Sequence, residues 1–250
     1  MFNIVLLVIL LILNTSLPSF SKEDLQGPLF NYQQGANAHK NGDLENAEFF
    51  FKNCLSINSG HIPSLIELGE IYIEKGKYQD AISYLTKALN ISPNDALIHV
   101  LLGTAYQENK KYDNAIYHYN QAIKLEPENT LVRVNLGLVC SLKNDNECAI
   151  DNLGKVVLAY PYQLRARAAL GIAYHTSMDY GLAKDQYKSV LEYDPTNLSI
   201  WYNLAKTQIA LTDFEHARES LDKAIALDGS VLDLYLDRAD VNYKLNKLED

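Results

Sequence analysis

Small and apolar residues return along this chain with a period of 34, in a pattern that predicts paired helices. Twelve positions separate each small residue of a first series from an alanine of a second series, enough for about two helical turns and a tight connection. The pattern therefore predicts two helices, A and B, in every 34 residues. The first series, on helix A, is Gly35, Gly69, Gly103, Gly137, Gly171, Ala205 and Ala239. The second, on helix B, is Ala47, Ala81, Ala115, Ala149, Ala183 and Ala217.

The small residues of the two helices are expected to face each other. A leucine at such a crossing would force the backbones apart and cost about 1–3 kcal/mol through overpacking. A proline then closes most repeats, because proline cannot continue a helix. These prolines are Pro93, Pro127, Pro161 and Pro195.

Leucines and aromatic residues at fixed positions complete the repeat. A leucine precedes the small residue of helix A, as at Leu68 and Leu102, and an aromatic residue precedes helix B, as at Tyr78 and Tyr112. The pattern resembles the tetratricopeptide repeat family. The resemblance implies an all-α fold, a right-handed superhelical solenoid of 34-residue helix-turn-helix repeats. Because the family is defined by its scaffold, the resemblance predicts a binding protein but does not identify its partner.

The 34-residue register and the different character of the first residues divide the chain into three segments. We predict a signal peptide or N-terminal anchor over residues 1–21, a linker over 22–27 and a solenoid over 28–250. The last segment has two interpretations, a polar cap on the solenoid, which we favour, or a truncated repeat. The repeats are 28–61, 62–95, 96–129, 130–163, 164–197 and 198–231, followed by a partial or capping helix at 232–250.

The first residues differ from all those that follow. Ile4 to Leu13 is an unbroken apolar run of ten residues, which as a helix would span about 15 Å, half of a hydrocarbon core. Small residues at Ser19 and Ser21, just before Lys22, are typical of a signal peptidase site. The sequence therefore predicts export and cleavage after Ser21. An uncleaved membrane anchor is the alternative, since no lysine or arginine precedes the apolar run.

The net charge and the lack of known catalytic or metal-binding motifs argue against several classes of function. The net charge of −9 and the pI near 5.1 argue against a nucleic-acid partner. No two of the six histidines lie four apart on one helix with a carboxylate between them, so there is no helical zinc motif. There is no glycine-rich phosphate loop and no nucleophile elbow. We expect no enzyme activity, no cofactor and no metal site.

Three cysteines are present. Cys54 occupies a small-residue position and is expected to be buried. Cys140 and Cys148 lie on the two helices of repeat four, where Cys140 replaces a tyrosine. Two small buried thiols are the favoured interpretation and a disulfide is the alternative.

By resemblance, helix A lines the concave groove, and fixed positions of each repeat point into it. Those positions are acidic in repeat two, at Glu67, Glu70 and Glu74, and apolar in repeats three to five. The alternative for each apolar residue is packing between adjacent helices. The candidate peptide-binding residues are Leu97, Val100, Thr104, Leu131, Val134, Asn135, Leu138, Arg165, Ala168, Ile172, His175, Tyr202, Asn203 and Lys206.

An apolar stripe rimmed by charge is typical of a partner-binding surface. The sequence therefore favours a non-catalytic adaptor in an extracytoplasmic compartment, periplasmic or secreted, that binds a peptide or helix in its groove. The alternative is a membrane-anchored assembly factor that works through its convex face or its N-terminal end. In that case residues 2–17 would contact the membrane.

Overall fold

The computed structural model describes residues 27–245, and every regular element within them is an α-helix. This confirms an all-α solenoid of helix-turn-helix repeats. Odd-numbered helices are helix A of their repeat and even-numbered ones are helix B. Their bounds are α1 Pro28–Lys40, α2 Leu44–Ile57, α3 Ile62–Glu74, α4 Tyr78–Ile91, α5 Ala96–Glu108, α6 Tyr112–Leu125, α7 Thr130–Leu142, α8 Asn146–Ala159, α9 Leu164–Thr176, α10 Tyr180–Leu191, α11 Leu198–Ala210, α12 Phe214–Leu227 and α13 Leu232–Lys244.

Local signals set where these helices begin and end. Asp95, Asn129 and Asn197 each accept a hydrogen bond from a backbone N–H in the first turn of the following helix A. Helix B ends two residues before a proline at Pro93 and Pro127, as predicted. The 34-residue register therefore fixes the helix boundaries as well as the helix count.

The glycines of helix A face large side chains and not the alanines of helix B, so the expectation that small residues face each other was wrong. A Cβ built on Gly137 would lie 2.5 Å from Cγ of Leu153, and one on Gly103 would lie 2.6 Å from the Tyr119 ring. Leu153 and Tyr119 are buried. The glycine thus makes room for the bulky residue sixteen positions later, which inserts between the two helices.

The helices group into two compact units, one ending at Pro93 and the other beginning at Asn94. The second unit contains repeats three to six and α13. Its core lies between the A and B helices, where Val132, Val139 and Ala169 pack together with Leu153 and Val156. All fourteen candidate binding residues belong to this unit.

Repeat four is closed by a disulfide between Cys140 and Cys148, so the favoured prediction of two separate thiols was wrong. The Cα atoms of the two cysteines are 5.8 Å apart, within the usual range for a disulfide. The bond joins the last turn of α7 to the first turn of α8. Cys54 is free and buried, as expected.

Candidate functional site

Helices A of neighbouring repeats contact one another around α9. Helix α9 touches both α7 and α11, besides the B helices on either side of it. Residues at the same repeat position in α7, α9 and α11 therefore lie next to each other in a row. This arrangement lets separate 34-residue repeats build one surface.

Three of the predicted apolar residues are exposed on this row of A helices. Leu97 is 50% exposed, Leu131 57% and Ile172 42%. Leu97 and Leu131 occupy the same position of consecutive repeats, so they extend one stripe. The stripe is flanked by half-buried candidates, namely Val100, Thr104, Asn135, Leu138 and Ala168.

Val134 does not belong to this surface. It is only 2% exposed and belongs to the core around α7, α8 and α9. Its position in the repeat is the one occupied by Val100 and Ala168, which are half-buried. The predicted binding role of Val134 is therefore wrong, because no partner can reach it. We call the exposed and half-buried apolar residues the A surface: Leu97, Val100, Leu131, Leu138, Ala168 and Ile172.

The polar candidates gather at the end of the A surface, between α9 and α11. Ile172, His175, Asn203 and Lys206 line a small cavity of about 70 Å³ together with Tyr187. Arg165 is exposed on the first turn of α9, and the remaining candidate, Tyr202, is half-buried. The structure thus brings four of the predicted residues together, although they are up to 34 positions apart in sequence.

The hydrogen bonds in this cavity fix how His175 is presented. The Thr207 hydroxyl donates to the Asn203 carbonyl oxygen at 2.8 Å, and its oxygen lies 2.9 Å from Nδ1 of His175. We therefore infer that Nδ1 carries the proton and that Nε2 is left as an acceptor. Burial and the charge of Lys206 lower the pKa of His175, so the ring is neutral at pH 7.

Lys206 is held over an aromatic ring. Its Nζ lies 5.2 Å from the centre of the Tyr202 ring, within cation–π range. Burial, a hydrogen bond to Asp237 and the charge of Asp233 raise the pKa of Tyr202 to about 12. The cavity therefore offers one positive charge and neutral donors and acceptors, which suit a polar or acidic group beside an apolar stripe.

One larger cavity was missed from the sequence. It has a volume of about 390 Å³ and is lined by α10, α11 and α12, with Leu191, Trp201 and Leu204 as its apolar wall. Trp201 is fixed there by a 2.9 Å hydrogen bond from Nε1 to the carbonyl oxygen of Pro195. A lone tryptophan in the repeat pattern was the available signal, but its position did not show that a cavity would form beside it.

Metal-ligating residues also meet at one place in the first unit. Atoms of His39, Glu67 and Glu70 that could bind a metal lie within 4.8 Å of one another. The search for zinc spacings along one helix missed them, because His39 is on α1 and the glutamates are on α3.

The predicted signal peptide or anchor lies outside residues 27–245. Among the residues that the structure describes, no helix is both long and apolar enough to cross a membrane.

Comparisons with known proteins place the chain among repeat proteins. Models of the tetratricopeptide repeat match residues 30–61, 61–128 and 175–230, well over half of the chain. The comparison with curated protein sequences gave no match.

Solved structures share the fold over most of the chain. A tetratricopeptide repeat protein from Parabacteroides merdae ATCC 43184 is 18% identical, with a TM-score of 0.72 over 88% of this chain and 87% of its own. YrrB, a TPR protein with an unusual peptide-binding site, is 23% identical, with a TM-score of 0.66 over 76% and 97%. A MamA protein is 25% identical, with a TM-score of 0.63 over 66% and 90%. From its repeats and their matches, the chain belongs to the tetratricopeptide repeat family.

Proposed function

We propose that this protein is an interaction scaffold that binds a peptide or a helix across the A surface. Tetratricopeptide repeats are generally non-catalytic scaffolds for protein interactions, and YrrB has a peptide-binding site. The observation that carries the proposal is the exposed stripe of Leu97, Leu131 and Ile172, which lies on successive A helices of one unit.

The two ends of the proposed site favour different groups of the ligand. Apolar side chains of the ligand would cover Leu97 and Leu131, removing apolar area from water at about 25 cal/mol per Å². An acidic group would lie near Lys206, and a hydrogen-bond donor would lie near the Nε2 atom of His175. The preferred ligand is therefore a segment with two apolar side chains at one end, which cover Leu97 and Leu131, and a polar or acidic group at the other end, near Lys206.

A peptide selection tests this site directly. The full chain is immobilised, peptides are selected from a random library, and the affinity of the selected peptides is measured by calorimetry. The double variant Leu97→Glu with Leu131→Glu is expected to bind them at least about tenfold more weakly, a loss of about 1.4 kcal/mol. The reason is that each glutamate would put a charge into an apolar contact.

Leu158→Glu is the matched control. Leu158 is 85% exposed on helix B of repeat four, so the variant adds one such charge on a helix that does not carry the A surface. Its affinity should equal that of the wild type. Unchanged binding by the double variant, or an equal loss in the control, would contradict the proposed site. Val134→Glu is not used, because a charge in the core would unfold the repeat.

We also propose an extracytoplasmic location. Two features support it: the apolar run from Ile4 to Leu13, and the disulfide between Cys140 and Cys148, since disulfides persist mainly in oxidising compartments. Amino-terminal sequencing of the exported protein is expected to give Lys22 as its first residue. A chain that still begins at Met1 would favour the membrane anchor.

A further inference from the structure

One histidine and three glutamates face each other in the first unit, far in sequence from the A surface. His39 is in the last turn of α1, and Glu67, Glu70 and Glu74 follow one side of α3 at spacings of three and four. Helices α1 and α3 contact each other. Nδ1 of His39 lies 2.7 Å from Oε2 of Glu67, and Nε2 lies 3.4 Å from Oε1 of Glu74.

The distances between these groups suit a metal ion. His39, Glu67 and Glu70 each offer one ligand atom, and all three atoms lie within 4.8 Å of one another. Metal–ligand bonds of about 2.0–2.2 Å, as for zinc, place neighbouring ligand atoms roughly 3–3.5 Å apart. Rotation of half-buried side chains would close that difference without any movement of the helices.

The ligand types limit which ion would fit. One imidazole nitrogen and two carboxylate oxygens suit a divalent first-row transition ion such as Zn²⁺. Calcium and magnesium prefer sites made only of oxygen, and copper(I) prefers sulfur. Three protein ligands also leave coordination positions for water or for a group from another molecule.

Glu74 adds a contact to one of the three ligands, His39, from outside the set. If Nδ1 of His39 binds the ion, Nε2 carries the proton and points at the Glu74 carboxylate. Histidine ligands in metal sites are commonly held in this way by a carboxylate on the second ring nitrogen. The ring of His39 is therefore already oriented with one nitrogen towards the ligand carboxylates and the other towards a carboxylate that would hold it.

Electrostatics also favour a cation at this point. Three carboxylates, those of Glu67, Glu70 and Glu74, lie along one side of α3 beside a single histidine, so their like charges repel one another there. A divalent ion between the carboxylates would remove this repulsion, because it would be the largest local charge.

We propose that His39, Glu67 and Glu70 form a binding site for a divalent transition-metal ion, with Glu74 as the positioning residue for the His39 ring. The proposal does not depend on peptide binding, since the A surface belongs to the other unit.

Calorimetric titration of the metal-free full chain with Zn²⁺ tests the site. The wild type is expected to bind one equivalent of Zn²⁺. The variants His39→Gln and Glu70→Gln are expected to bind it at least about tenfold more weakly, because even a change in a residue that only holds a metal ligand in place costs this much affinity. Addition of Co²⁺ should give the visible absorption of a bound ion in the wild type and not in His39→Gln. Glutamine keeps the size of the glutamate, so Glu70→Gln is expected to fold.

His216→Gln is the matched control, because His216 also lies 2.7 Å from a carboxylate, that of Asp213, but belongs to no cluster of three ligands among the described residues. Its Zn²⁺ affinity should equal that of the wild type. Zn²⁺ should also raise the melting temperature of the wild type and of His216→Gln, but not that of His39→Gln. Equal binding by wild type and His39→Gln would overturn the site, as would a loss of binding in His216→Gln alone.

Discussion

Gly137→Ala is expected to lower the free energy of unfolding by about 1–2 kcal/mol, although alanine is the better helix former. Its Cβ would lie 2.5 Å from Cγ and 2.9 Å from Cδ2 of Leu153. Leu153 is fully buried, so it cannot move aside into solvent. Overpacking of this kind costs typically about 1–3 kcal/mol, and the gain of up to about 1 kcal/mol in helix propensity offsets only part of it.

Gly154→Ala is the matched control in the same repeat. Gly154 lies in the middle of α8, and a Cβ there would meet no atom within 4 Å. This variant should gain about 0.5–1 kcal/mol from helix propensity alone. Urea unfolding followed by circular dichroism would measure both variants, and we expect them to differ by about 2 kcal/mol. A stabilised Gly137→Ala would show that Leu153 can move aside, and that the glycine series does not determine how closely the helices pack.

This pair of variants also shows how far the sequence predicts the fold. The period of 34 determined the number of helices and their order, because the small residues return in every repeat and a proline closes most of them. It did not show which residue each glycine faces. Gly137 and Leu153 are sixteen positions apart on different helices, and their contact depends on the crossing of α7 and α8, which spacing along the chain does not specify.

The candidate site was predicted less completely for the same reason. The resemblance to the family placed Leu97, Leu131 and Ile172 in the groove, and all three are exposed. Val134 was assigned to that face as well, but it is buried because the neighbouring helices close over it. The His39 cluster was missed because its ligands come from two helices, and only their packing brings them within reach of one ion.

Reduction of the disulfide is expected to lower the free energy of unfolding by about 2–3 kcal/mol. The bond closes a loop with a sequence separation of 8, and in the chain-entropy model a loop of that length restricts the unfolded chain by about this amount. Cys140 is fully buried, so the change should act on repeat four and not on the surface. The experiment compares urea unfolding with and without a reductant.

Two variants separate the effect of the bond from other effects of the reductant. Cys140→Ala with Cys148→Ala should be insensitive to it, because no bond is left to break. Cys54→Ala should lose as much stability on reduction as the wild type does, since Cys54 is a free thiol outside the bond.

If the reductant leaves the stability of the wild type unchanged, the bond contributes nothing to stability, and one of the two observations that support an oxidising compartment is lost. If the loss appears as predicted, repeat four depends on its disulfide where repeats three and five have a tyrosine at the position of Cys140. Such a repeat would be less stable in the reducing cytosol, which ties its packing to the proposed location.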